Sequence, residues 1–153
     1  MRHVVKLLVV GMAVVAALGA APSSALADSS NCTNPFLYNT YQCNFVSGSG
    51  LYVNYDEGHF WINPGASISG TFKQKLRITK PNGHVTTLAS GKLSLSCSGG
   101  LFTPTLCWNY RWGSAKIGGN YPDQTEMCSA TFLVLNNGSL SRVAGWACNT
   151  IHS

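Results

Sequence analysis

Charged side chains are scarce in this chain: 10 Lys or Arg and 5 Asp or Glu make up a tenth of its 153 residues. Solvation must therefore come mostly from Ser, Thr, Asn, Gly and Tyr, and the net charge of +5 is too mild to argue for a nucleic-acid partner. The sequence has no Gly-x-Ser-x-Gly elbow, no His-Glu-x-x-His and no Cys-x-x-Cys, which removes the usual signatures of a serine hydrolase, a zinc peptidase and a zinc knuckle. No metal and no cofactor is expected. No apolar run reaches the roughly 20 residues of a bilayer-spanning helix. No stretch past the first thirty residues repeats apolar side chains at i, i+3, i+4 and i+7, so helices are not expected either. Internal repeats and low-complexity tracts are absent.

What is present starts with an export pattern. Arg2, His3 and Lys6 give a positive start, Leu7 to Ala21 is apolar or small throughout, and Ala25-Leu26-Ala27 places small residues where a signal peptidase cuts. Residues 1–27 are thus read as a cleaved secretory signal and 28–153 as a single secreted β domain. Loss of Arg2 and Lys6 leaves eight basic against five acidic residues, a net charge of +3. All six cysteines, Cys32, Cys43, Cys97, Cys107, Cys128 and Cys148, follow the cut, in the part destined for an oxidising compartment.

The remainder reads as strands with a period of two. Asn82-Gly83, as a two-residue hairpin turn, sets Ile78 opposite Thr87 and Leu76 opposite Ala89. In that register Val85, Thr87, Ala89, Leu93, Leu95 and Cys97 share one face, with Gly91 as a bulge, and Lys73 faces Lys92. A second hairpin turns at Asn137 to Ser139 and brings Cys128 opposite Cys148, which predicts that bridge. Its strands are apolar on both faces (Phe132 and Val134, Leu133 and Leu135), as in a sandwich interior. The other four cysteines pair locally as Cys32–Cys43 and Cys97–Cys107, or as a Cys43–Cys97 bridge spanning Trp61 in a loose echo of immunoglobulin domains. Ser47 to Gly50 reads as a flexible connection, and Gly113 to Glu126 as a long surface loop. The fold expected is all-β, a disulfide-stabilised antiparallel sandwich or small barrel.

Three sets of residues could carry function. Tyr52, Tyr55, Phe60 and Trp61 cluster in sequence, and Trp108, Tyr110 and Trp112 alternate along one strand face. Exposed, such rows stack on sugar rings or anchor a protein; buried, they are core. Lys73, Lys75 and Arg77 form a basic stripe suited to an anionic ligand, or to keeping sheets from joining edge to edge. In Asp56-Glu57-Gly58-His59 a carboxylate could orient the His59 imidazole as a general base, with Arg77 or Arg111 nearby, or the four residues could simply form a polar turn. Asn31 and Asn137 head glycosylation sequons. The expected function is an extracellular binding module for a protein or a glycan, without enzymatic activity. The alternatives are an inhibitor or antibacterial factor acting through a disulfide-braced loop such as 97–107, and a small hydrolase using His59 and Glu57.

Overall fold

The computed structural model describes residues 29–153, so the signal reading lies outside the described residues. The fold is an antiparallel two-sheet sandwich. Sheet A orders β1 (Ser29–Cys32), β2 (Thr40–Ser49), β3 (Tyr52–Ile62) and β7 (Thr105–Trp112), with the short β8 (Gly119–Asn120) also pairing β3. In sheet B the long β4 (Ser67–Thr79) and β9 (Thr125–Val134) lie side by side. β5 (Val85–Ala89) and β6 (Leu93–Ser98) form one outer edge of sheet B, β10 (Leu140–Arg142) and β11 (Ala147–Ile151) the other. Asp56-Glu57-Gly58-His59 is the middle of β3 rather than a turn, because every one of its residues pairs with β2 and β7 on either side.

Both Asn-Gly sites make hairpins, each through a three-residue loop. Lys80 N donates to His84 O and Gly83 N to Lys80 O; Leu135 N and Gly138 N make the matching bonds to Ser139 O and Leu135 O. Gly83 and Gly138 both sit at φ +80°, the left-handed position that closes a type I turn with a glycine bulge. The extra residue corrects the first register by one: Leu76 pairs with Leu88 and Ile78 with Thr86. Val85, Thr87 and Ala89 therefore face solvent. The irregular Ser90-Gly91-Lys92 break restores the other parity in β6, where Leu95 and Cys97 face the core and Gly70 pairs with Leu95. Likewise the second hairpin turns at Asn136 to Gly138, with Leu140 opposite Val134, and residues 143–146 reset the register so that Cys148 pairs with Cys128. Of Phe132 to Leu135 only Leu133 packs into the core; Phe132 lies on the outer face and Leu135 is exposed.

The disulfides are Cys32–Cys43, Cys97–Cys107 and Cys128–Cys148. The first and third join directly opposed residues of neighbouring strands, whereas the second ties β6 of one sheet to β7 of the other. Ser47 to Gly50 is the end of β2 and a tight hairpin, with a register shift at Ser47/Gly48. The Gly113 to Glu126 segment is partly folded inward: α1 (Ser114–Ile117) buries Ile117 in the core, and Tyr121 donates its hydroxyl proton to Ile117 O at 2.7 Å.

Two apolar clusters fill the sandwich, one around Trp112, Leu76, Met127 and Ile151 and the other around Phe60, Ile62, Phe72 and Val143. Between them lies a buried polar layer. Gln42 donates from Nε2 to Ser129 Oγ (3.1 Å) and accepts at Oε1 from Thr131 Oγ1 (2.8 Å). Asn44 donates from Nδ2 to Asp56 Oδ2 and to Met127 O, both at 3.1 Å. Gly58 makes room for this layer, since a Cβ there would stand 2.6 Å from Gln74 Oε1 and 2.7 Å from Gln42 Nε2. Gly58→Ala should therefore lower stability by about 1–3 kcal/mol in chemical denaturation, because the added methyl overpacks the fully buried Gln74 side chain and displaces the Gln42–Ser129 hydrogen bond.

Candidate functional site

Strand alternation in the middle of sheet A buries polar side chains and turns several aromatic ones outward. On β2 the inward positions are Thr40, Gln42, Asn44 and Val46, and on β3 Asp56, Gly58, Phe60 and Ile62, all paired in register. Tyr41, Phe45, Tyr55, Glu57, His59 and Trp61 are consequently sent to the outer face. Asn109 and Arg111 join them from β7, opposite His59 and Glu57.

Glu57 is the hub of this face. Its Oε1 accepts from Asn109 Nδ2 at 2.8 Å and lies 3.2 Å from His59 Nε2. Its Oε2 accepts from Arg111 through Nε (3.2 Å) and Nη2 (3.0 Å). Burial pushes the Glu57 carboxyl up, but hydrogen bonds from Arg111 and Asn109 outweigh it and hold the group below the usual carboxylate range. The Arg111 guanidinium lies 4.1 Å over the Tyr55 ring, the Phe45 and His59 rings are 4.4 Å apart, and Tyr41 stacks parallel on Trp61 at 6.1 Å. A hollow of about 330 Å³ lined by Ser29, Ser30, Phe45, Val46, Ser47 and Tyr55 adjoins the cluster. The result is a charge-compensated polar centre framed by aromatic rings.

Other residues singled out in the sequence lie elsewhere. Trp108, Tyr110 and Trp112 share a face, but it is the inner one: they pair with Phe60, Gly58 and Asp56 and pack edge to face, with Trp112 fully buried. Tyr52 is 43% exposed and pairs with Asn120 at the start of β3, away from Glu57. Lys73, Lys75 and Arg77 lie on the outer face of sheet B, so they share no site with the Glu57 cluster. There Lys75 Nζ lies 5.0 Å over Phe132, and Arg77 lies 4.8 Å over Trp146 with its Nη2 3.5 Å from Glu126. Glu126, Cys128 and Cys148 converge as a metal site would, yet both sulfurs are committed to a disulfide and offer no thiolate. Asn31 of the first sequon donates its side-chain amide to Cys148 O at 3.0 Å.

The sequence reading gave Glu57 and His59 as a pair and Arg111 as an option, but it missed Asn109, Tyr41 and Phe45. The signal for the last two was their shared parity with Cys43 on β2, opposite Trp61, His59 and Glu57. No protein-family model, curated protein or solved structure matches this chain significantly, so its role is argued from the chemistry of the face.

Proposed function

We propose that this is a secreted extracellular binding module whose ligand, a glycan of little net charge, lies across the outer face of sheet A. The observation that carries the reading is the Glu57 hub, which holds Arg111, Asn109 and His59 in fixed positions between the Tyr55, Phe45 and Trp61 rings. Sugars present apolar C–H faces and rims of hydroxyls, and a surface of aromatic planes with paired donors and acceptors answers both. Charge compensation at the hub disfavours a strongly ionic ligand. Export is supported by three disulfides, the signal-like first 27 residues and the lack, among the described residues, of any helix able to cross a membrane.

Binding is favoured over turnover because Glu57 accepts its hydrogen bonds chiefly from Arg111 and Asn109, and among the described residues no Ser or Thr hydroxyl is hydrogen-bonded to His59 as a nucleophile would be. Arg111 is 56% exposed in its side chain, so Arg111→Ala should keep the fold and lower stability only by the ion pair it makes with Glu57. Titration calorimetry against neutral oligosaccharides selected from a glycan array should then show about a tenfold to hundredfold loss of affinity for Arg111→Ala and for Tyr55→Ala. Wild-type affinity in both variants would remove this face as the site. Hydrolysis of the bound sugar that disappears in His59→Ala would replace the binding reading with the catalytic one.

A further inference from the structure

One end of the sandwich is apolar and built from three segments: residues 33–39, the 63–66 turn between β3 and β4, and the 99–104 loop between β6 and β7. Hydrogen bonds knit them into one surface. Asn63 N donates to Asn39 O (3.0 Å) and Asn63 Nδ2 to Asn39 Oδ1 (2.9 Å), while Gly99 N donates to Ala66 O (2.9 Å) and Gly65 N to Gly100 O (3.3 Å). The Cys97–Cys107 bridge closes the last loop. Leu101 is 87% exposed and Phe102 90%, far above the other exposed apolar side chains, which run from 39% to 57%. A Cβ on Gly100 would meet Thr103 O at 3.2 Å, so Leu101 and Phe102 occupy the tip of a narrow turn. The 33–39 segment, joined to that loop through the 63–66 turn, carries Phe36, Leu37 and Tyr38, 40–57% exposed, with Tyr38 held at φ +60°, where a bulky residue is rare.

Charge at this end has one sign. The described carboxylates are elsewhere: Asp56 is in the core, Glu57 is in the middle of the sheet A face, and Asp123 and Glu126 flank the opposite end. The Arg142 guanidinium stands 5.0 Å over the Phe36 ring. A convex apolar tip has no flat complement; it needs a deep pocket or a deformable medium, and a cation without neighbouring carboxylates suits anionic headgroups.

We propose that this end of the protein binds lipid bilayers, with Leu101 and Phe102 entering the acyl boundary and Phe36, Tyr38 and Arg142 lying at headgroup level. Tyrosine, phenylalanine and arginine each have an apolar body and can sit at that interface. The site is separate from the sheet A face and does not depend on what that face binds.

Co-sedimentation with large unilamellar vesicles tests it, using the disulfide-bonded chain from Asp28 onward, which contains the whole described sandwich. Vesicles of phosphatidylcholine alone and with phosphatidylglycerol should both carry the protein down, the anionic ones more strongly. The Leu101→Asp/Phe102→Asp double variant should lose at least about tenfold in partitioning from both, with an unchanged melting temperature, since neither side chain is packed. Arg142→Gln should lose about fivefold on the anionic vesicles alone. Wild-type protein that stays in the supernatant, or a double variant that sediments like wild type, overturns the proposal; a protein pocket or a second copy of the chain would give the first result. Equal losses for Arg142→Gln on both vesicle types would overturn the headgroup contact.

Discussion

Trp112→Ala is expected to remove about 3–5 kcal/mol of folding stability, read as a drop in the urea midpoint at unchanged slope. Trp112 is the largest fully buried side chain of the described residues, locked between Tyr110 and the cluster of Val53, Leu76, Ile78 and Met127. A loss of that size is a large part of the roughly 5–15 kcal/mol of a small domain, so the variant should be partly unfolded at 37 °C unless the disulfides hold it. Trp61→Ala, on the outer face, should cost much less and act on ligand affinity instead. A Trp112→Ala midpoint within error of wild type would refute its burial and return β7 to the list of candidate surfaces.

The second large effect is on pH. Burial pushes the Asp56 carboxyl from the ordinary 3.8 up to about 7; the Asn44 hydrogen bond pulls it partway back, and neighbouring Glu57 raises it further. Folding therefore favours the protonated acid. Its contribution is fully present below about pH 4 and is lost as pH rises through the folded value near 7, up to about 4 kcal/mol in all. Glu57 works in the opposite sense, because its folded pKa is depressed and its contribution fades on acidification. Asp56→Asn keeps the shape and removes the ionisation. Denaturation at about pH 5 and pH 8 should show the wild type weakening toward pH 8 and Asp56→Asn staying flat. A wild-type curve that is level between those values would mean that Asp56 stays ionised in the fold.

Local chemistry made part of this fold readable and the layered interior unreadable. Asn82-Gly83 and Asn137-Gly138 announced both hairpins because left-handed backbone is cheap at those glycines. Loop length was harder: two- and three-residue turns share that dipeptide, and the difference of one residue inverted the faces of β5. The Cys128–Cys148 pairing was still legible, since a second irregularity at residues 143–146 compensated for the first. Sheet A defeated alternation for a different reason. Hydrophobic patterning sends Tyr41, Phe45 and Trp61 inward and Gln42, Asn44 and Asp56 outward, while the structure does the reverse, with Gln42 hydrogen-bonded to Ser129 and Thr131, Asn44 to Asp56, and Gly58 leaving room between them. That swap gives the molecule both its aromatic outer face and its titratable core.

Each sheet ends in edges that are short or interrupted: β1 has four residues, β7 gives way to α1, and the sheet B edges break at 90–92 and 143–146. Open edges are templates on which other chains can add strands, and proteins commonly defend them with charge. This chain has very little charge to deploy. Its broken borders supply part of that protection through shape: among the described edge strands only β7, with eight residues, runs longer than six.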